Sequence, residues 1–476
     1  MIANLKNLLF ENQSFNQKIA KNTFWLFLGQ ISGKLIRIAI IVYAARILGP
    51  ASWGAFSYAM SLVAFMTIFS DVGVSAIVTR EVSKSPENSK AYFSTAFFIK
   101  IFLLLIGVGL MVFGAPYLTN IKEAKTLIPL IAFVLIFDSL RNFGFTLSRA
   151  EEKMQWEGIN EFLTNIAIVV FGFILLTKSP TSESLATSYI FATGFGFLII
   201  TWQLRYYFRN LLTHFDLSLV KKILSAAWPF ALFSSIGAIM LNTDMLMLGW
   251  LRPVEEVGFY SAAQRPIQLL YVLPSLFAVS LFPTFSKLAN KNNDEYRKIL
   301  EKSLKISLLV ALPVAIGGII LGDQLINLLF GDAYLSSIRV FQILLATILI
   351  IFPSAIINNS IFAYNEQKSF ITFSSFGAVG NILFNFLLIP YWGIIGCAIS
   401  TILTQLTANS LMWIKMKKIN NFIILSKINK AVISSILMSL LVIILKELGI
   451  NVIINILIAI PVYWASLKFL NEEMIK

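Results

Sequence analysis

Charge is scarce in this chain. Charged residues fill 13% of its 476 positions, about half of what a soluble domain needs to face water, so a reading as a string of soluble domains is excluded. Histidine occurs once, as His214, in a basic stretch that suits a solvated loop better than catalysis. Cysteine also occurs once. Cys397 lies in an apolar run, where a free thiol behaves as a small hydrophobe, and no disulfide framework can form within one chain. No cluster of His, Cys and carboxylates has metal-ligand spacing. No GxxxxGK[ST] phosphate loop is present, which excludes ATP hydrolysis by that route. No outer loop is long enough for an extracellular catalytic domain. These absences together argue against an enzyme. Residues 1–21 lack the apolar core and small-residue site of a cleavable signal and are expected to form an amphipathic segment on the cytoplasmic membrane surface.

Apolar residues are abundant instead, at 57% of the sequence with mean hydropathy +0.79. Runs long enough to cross a bilayer recur from end to end, about fourteen in all. The first is Asn22–Leu48, the fourth Lys125–Leu147, the seventh Ala226–Leu251 and the eighth Val257–Phe282. The eleventh and twelfth are Phe370–Ile389 and Gly393–Met416, and the last is Ile450–Phe469. The predicted class is an all-α membrane protein. The net charge of +14 does not point to nucleic acid, because the basic residues sit in short loops between apolar runs. With the N-terminus inside, the outer loops hold Arg46, Lys122, Lys125, Lys178, Arg252, Arg339 and Lys446, and the inner segments hold most of the rest. That positive-inside bias predicts an even number of spans and two cytoplasmic termini.

The chain repeats itself faintly. Gly54, Phe56, Ser57 and Ala59 in GAFSYA match Gly258, Tyr260, Ser261 and Ala263 in GFYSAA, each preceded by a proline, Pro50 and Pro253. A six-helix unit repeated head to tail predicts two parallel lobes, at 22–210 and 211–420, followed by a C-terminal helix pair at 421–476.

Charges within spans are costly and usually face a cavity or a partner. Lys34 and Arg37 lie three apart on one face of the first span, and Arg265 lies inside the eighth. Three such cations suit a phosphate or other anionic headgroup, which arginine can hold bidentately. Snorkelling towards headgroups is the alternative, and it is favoured for Lys100. Asp138 and Arg141, three apart on the fourth span, read as an intrahelical ion pair. Asp244 has no cation near it in the sequence and must be paired, protonated or bound to a cation. Asn381 and Asn385 on the eleventh span, with Thr401, Thr404 and Gln405 on the twelfth, could complete an oxygen site for Na⁺, or Asp244 could carry a proton. A hydrogen-bonded helix contact is the alternative.

The segments ARILGPASWGAFSYA (Ala45–Ala59), SDVGVSAIVTRE (Ser70–Glu81), WPF (Trp228–Phe230), TDMLMLG (Thr243–Gly249) and LFPTFSKL (Leu281–Leu288) resemble, in order and spacing, the polysaccharide biosynthesis family. These are the O-antigen and exopolysaccharide flippases of the multidrug/oligosaccharidyl-lipid/polysaccharide exporter superfamily. The resemblance implies two six-helix lobes around a central cleft, alternating between inward-open and outward-open states. It implies an undecaprenyl-diphosphate-linked oligosaccharide as substrate: an O-antigen, capsule or exopolysaccharide repeat unit. In related lipid II flippases, cations on the first and eighth spans line the cavity, and a cation site joins the seventh, eleventh and twelfth. Lys34, Arg37 and Arg265 fall on the former spans here, and Asp244, Asn381, Asn385 and Thr404 on the latter. Fewer arginines on the early spans set this chain apart from a lipid II flippase. The expected setting is the cytoplasmic membrane. The expected partners are membrane lipids, a glycan polymerase and chain-length proteins, with Na⁺ or H⁺ as coupling ion and no other cofactor. The rivals are a lipid II flippase, a multidrug exporter and, in another class, a membrane glycan polymerase or ligase.

Overall fold

The computed structural model describes residues 15–117, 119–209, 211–424 and 428–472. The amphipathic segment expected at 1–21 lies mostly outside the described residues. Helices dominate and no strand occurs among the described residues. The first group is α1 (Phe15–Asp71), α2 (Val74–Lys84), α3 (Ser89–Gly109), α4 (Lys122–Ala150), α5 (Gln155–Lys178), α6 (Ser182–Gln203) and α7 (Leu217–Leu251). The second is α8 (Val254–Leu270), α9 (Val272–Leu288), α10 (Asn293–Ile320), α11 (Gly322–Phe330), α12 (Ser337–Ala346), α13 (Ile348–Ala363), α14 (Gln367–Asn420), α15 (Asn429–Glu447) and α16 (Val452–Phe469). Several starts are written locally. Thr181, Asn292 and Asn451 accept hydrogen bonds from the backbone N–H groups of Ser184, Glu295 and Ile453, as N-cap residues do.

Among the described residues, eleven helical stretches are long and apolar enough to cross a membrane, and the bent pair Phe27–Asp71 and Val74–Lys84 makes twelve if it is one span. Two of the twelve are too long for one crossing. At about 1.5 Å per residue, the 57 residues of α1 and the 54 of α14 far exceed a hydrocarbon core of about 30 Å. Each breaks at a glycine with non-helical dihedrals, Gly49 (φ 71°) and Gly393 (φ 54°). Divided there, the described residues hold fourteen helical stretches, consistent with the roughly fourteen spans that hydropathy predicts.

The chain divides into two compact units, Met1–Trp250 and Leu251–Lys476, one helix later than the lobe boundary placed at 210/211 by the repeat. In the first unit, Thr119 Oγ1 and Asn120 Nδ2 donate to the carbonyls of Gly249 and Trp250 at 3.3 and 3.2 Å, tying the end of α7. Ile223 and Ala227, near its start, enter a buried cluster with Val78, Phe93, Phe143 and Ile200 from α2, α3, α4 and α6. Phe93 stacks on Phe143 and meets Tyr207 and Phe208 edge-on. Lipid offers no hydrophobic force between helices, so close packing and polar contacts decide which faces meet.

In the second unit, α14 folds back on itself at Gly393. Ser400 Oγ donates to the carbonyl of Asn381 at 3.4 Å, which sets its two arms antiparallel. Beside the turn, Arg252 grips Glu256 with two bonds of 2.9 and 2.6 Å. A Cβ on residue 393 would lie 2.7 Å from Glu256 Oε2, so the turn needs glycine for its positive φ and for space. The C-terminal pair is pinned at both ends. Lys446 of α15 bonds Asp323 at 2.7 Å and the carbonyl of Ile320 at 2.8 Å, and Lys305 of α10 pairs with buried Glu472.

Candidate functional site

The residues that the sequence marks out fall in both units: Lys34, Arg37 and Asp244 in the first, Arg265, Asn381, Asn385 and Thr404 in the second.

In the first unit, α1 and α5 cross backbone to backbone. A Cβ on Gly29 would lie 2.5 Å from Gly158 Cα, and one on Gly33 would lie 2.5 Å from Asn165 Nδ2. This approach delivers Asn165, which is buried, to the cationic face of α1. Arg37 Nε donates to Asn165 Oδ1 at 2.7 Å, and Asn165 Nδ2 donates to the carbonyl of Glu161 at 2.7 Å. Both ends of the amide are therefore assigned. Lys34 lies one turn earlier and is exposed, under the fields of Arg37 and Glu161. Among the described residues neither Lys34 nor Arg37 has an ion-pair partner.

The nearby carboxylates are taken by another cation. Arg141 is buried, and its Nη2 bonds Asp138 at 2.7 Å and Glu161 at 3.2 Å. Asn142 donates to Asp138 at 3.0 Å, and Asn160 donates to the carbonyl of Gly196 at 2.8 Å. The intrahelical pair expected of Asp138 and Arg141 is present, and Glu161 extends it to α5. Lys100 corrects an expectation. It does not snorkel: its side chain is 3% exposed and bonds Asp71 at 2.8 Å, because α1 and α3 bring a carboxylate that lies 29 residues away.

Asp244 sits on α7 and is 2% exposed. It has an interaction partner in the structure. In the second unit, Arg265 is half-buried on α8, just before Pro266, and is likewise engaged. Asn381, Asn385 and Thr404 are all buried. Asn385 Nδ2 donates to Asn381 Oδ1 at 3.3 Å. The antiparallel register of α14 places Thr404 one helical turn beyond the Asn381–Ser400 contact. Thr404 Oγ1 is buried without a hydrogen-bond partner among the described residues. No group of three or more His, Cys, Asp or Glu side chains is arranged for a metal among the described residues.

Sequence reasoning passed over Asn165 and Glu161. The signal was present: Asn160, Glu161, Thr164 and Asn165 recur at helical spacing within an apolar span, and Gly29 and Gly33 form a small-xxx-small pair.

The arrangement of helices, with buried polar groups on otherwise apolar spans, defines a multi-pass membrane protein with the fold of flippases and exporters. The fold matches that of a solved structure of "Lipid II flippase MurJ, inward closed conformation", with a TM-score of 0.77 at 19% identity over 96% of this chain and 99% of that one. It matches an inward-facing multidrug resistance MATE family transporter with a TM-score of 0.66 at 15% identity, over 82% of this chain and 96% of that one. The model of the family described as "Polysaccharide biosynthesis protein" matches residues 19–289, more than half of the chain, and the chain belongs to that family. The MatE model matches residues 229–387. Among relatives, a putative O-antigen transporter of Shigella flexneri is 24% identical over 83% of this chain and 97% of its own length. Capsular polysaccharide biosynthesis protein CapF of Staphylococcus aureus is 24% identical over 82% and 97%. The probable low-salt glycan biosynthesis flippase Agl15 of Haloferax volcanii is 23% identical over 81% of each.

Proposed function

We propose that this protein is a flippase that carries an undecaprenyl-diphosphate-linked oligosaccharide across the cytoplasmic membrane by alternating access. The cargo in this reading is an O-antigen, capsule or exopolysaccharide repeat unit. The observation that carries the reading is the pair Lys34 and Arg37, two cations on one face of a membrane span with no ion-pair partner among the described residues. Charge within a span that lacks an ion-pair partner is expensive unless an anion visits it, and a diphosphate is such an anion. Arg265, a further cation within a span, is also assigned to anion binding. An apolar groove of ≈ 480 Å³ in the second unit, lined by Leu309, Pro313, Leu345, Met438 and Trp464, suits a hydrocarbon chain. The names of the relatives support the reading.

The energy source in this reading is an ion gradient or the membrane potential, which supplies about 2.3 kcal/mol per charge at 100 mV. Asp244, Asn381, Asn385 and Thr404 are assigned to the coupling Na⁺ or H⁺, whose role would be to bias the lobes through differential affinity. Both termini are assigned to the cytoplasm. A glycan polymerase and chain-length proteins are the partners that would consume the product.

A multidrug exporter is the second reading, favoured by the MatE match. It calls for acids available to a cationic drug, whereas Asp138 and Glu161 are held by Arg141, and Asp71 by Lys100. Complementation of flippase-deficient strains tests the choice. Restored surface polymer that is lost with Arg37→Ala or Arg265→Ala, and partly regained with lysine, supports the flippase. Restored drug resistance without polymer refutes it.

A further inference from the structure

We propose that Asn165 is a positioning residue that aims Arg37 at the anion. The inference rests on the flippase reading and deepens it. A guanidinium offers five N–H donors in a planar fork. Asn165 Oδ1 takes the one on Nε at 2.7 Å. That bond restrains the plane of the group and leaves the Nη donors, which have no partner among the described residues, for a bidentate contact. Asn165 cannot swing away, because its Nδ2 is spent on the carbonyl of Glu161 at 2.7 Å and its side chain lies against Gly33, where a Cβ would come within 2.5 Å. Glu161 is in turn bonded to Arg141 at 3.2 Å. A carboxylate at position 165 would hold Arg37 as well, but it would neutralise it. The neutral amide orients the cation and leaves its full charge for the ligand. Gly29, Gly33 and Gly158 serve the same end, since any side chain there would drive α5 off α1 and carry Asn165 with it.

The test uses the full-length protein in nanodiscs and undecaprenyl diphosphate as probe, with undecaprenol as the headless control. Asn165→Leu keeps the branched shape, with more bulk, and removes the acceptor. It is expected to weaken binding of the diphosphate about tenfold, the usual loss for a hydrogen bond to a charged group, and to leave undecaprenol binding unchanged. In an Arg37→Ala background it should cause no further loss, because Asn165 acts only through Arg37. Asn165→Asp, which retains shape and solubility, should weaken binding at least as much by pairing with Arg37. Wild-type affinity in either Asn165 variant, or losses that multiply with that of Arg37→Ala, would overturn the inference and leave the role of Arg37 standing. Wild-type affinity in Arg37→Ala would instead remove the cationic reading and this inference with it.

Discussion

Replacing Arg141 with methionine should be among the most damaging single changes in the first unit. The substitution keeps a long side chain, so little cavity is created. It leaves two carboxylates, Asp138 and Glu161, without the guanidinium that binds them at 2.7 and 3.2 Å. Removing one partner from a fully buried ion pair costs about 3–5 kcal/mol, mostly because the remaining charge is stranded. Asp138 and Glu161 keep 31% and 22% of their side-chain exposure, so each recovers part of its hydration. The expected loss is therefore smaller per carboxylate, and about 2–4 kcal/mol for the two together. The measurement is unfolding of the purified protein by titration with sodium dodecyl sulfate, followed by tryptophan fluorescence. The decisive comparison is with the triple variant Arg141→Met, Asp138→Asn, Glu161→Gln, which removes both stranded charges and should regain most of the loss. If Arg141→Met unfolds with the wild type, or if the triple variant is no more stable than the single one, the cluster is not held by charge compensation.

Three further outcomes are expected. Reporter fusions after Lys178, Pro253 and Gly331 should read outside and those after Lys153, Arg209 and Lys291 inside; an external C-terminus would refute the even span count. Asp244→Asn should leave folding intact but abolish the dependence of transport on the ion gradient in proteoliposomes under separately imposed Na⁺ and pH gradients, and identical responses from wild type and variant would make Asp244 a structural contact. Gly393→Ala should destabilise the second unit by about 1–3 kcal/mol, since φ is 54° and the new Cβ would meet Glu256 Oε2 at 2.7 Å. Gly49→Ala, with φ of 71° but no atom within 4 Å of its Cβ, should lose only the backbone share, about 1 kcal/mol, and equal losses in thermal unfolding would show that the Glu256 contact is irrelevant.

Much of this protein was legible without its structure. Span number follows from hydropathy because bilayer thickness sets the length of each apolar run and the backbone must satisfy itself within it. Gly49 and Gly393 show why the reading works even where a helix looks continuous: the break is a local backbone property that glycine announces. Asp138 and Arg141 were paired correctly because a spacing of three fixes their distance on one helix. Lys100 and Asp71 were not, because their distance depends on how α1 packs against α3, and no periodicity within either segment carries that information.

The same limit applies to the cations. Composition alone made Lys34 and Arg37 conspicuous, since charge within a span is rare and costly. That Arg37 is aimed by Asn165, and that Glu161 is withheld from it by Arg141, was decided only when α4 and α5 came together, with the glycine seam of α1 admitting α5. Local sequence determines which residues a helix can present and on which face. Close approach between helices far apart in the chain determines which of those residues are spent on one another, and which remain for a ligand.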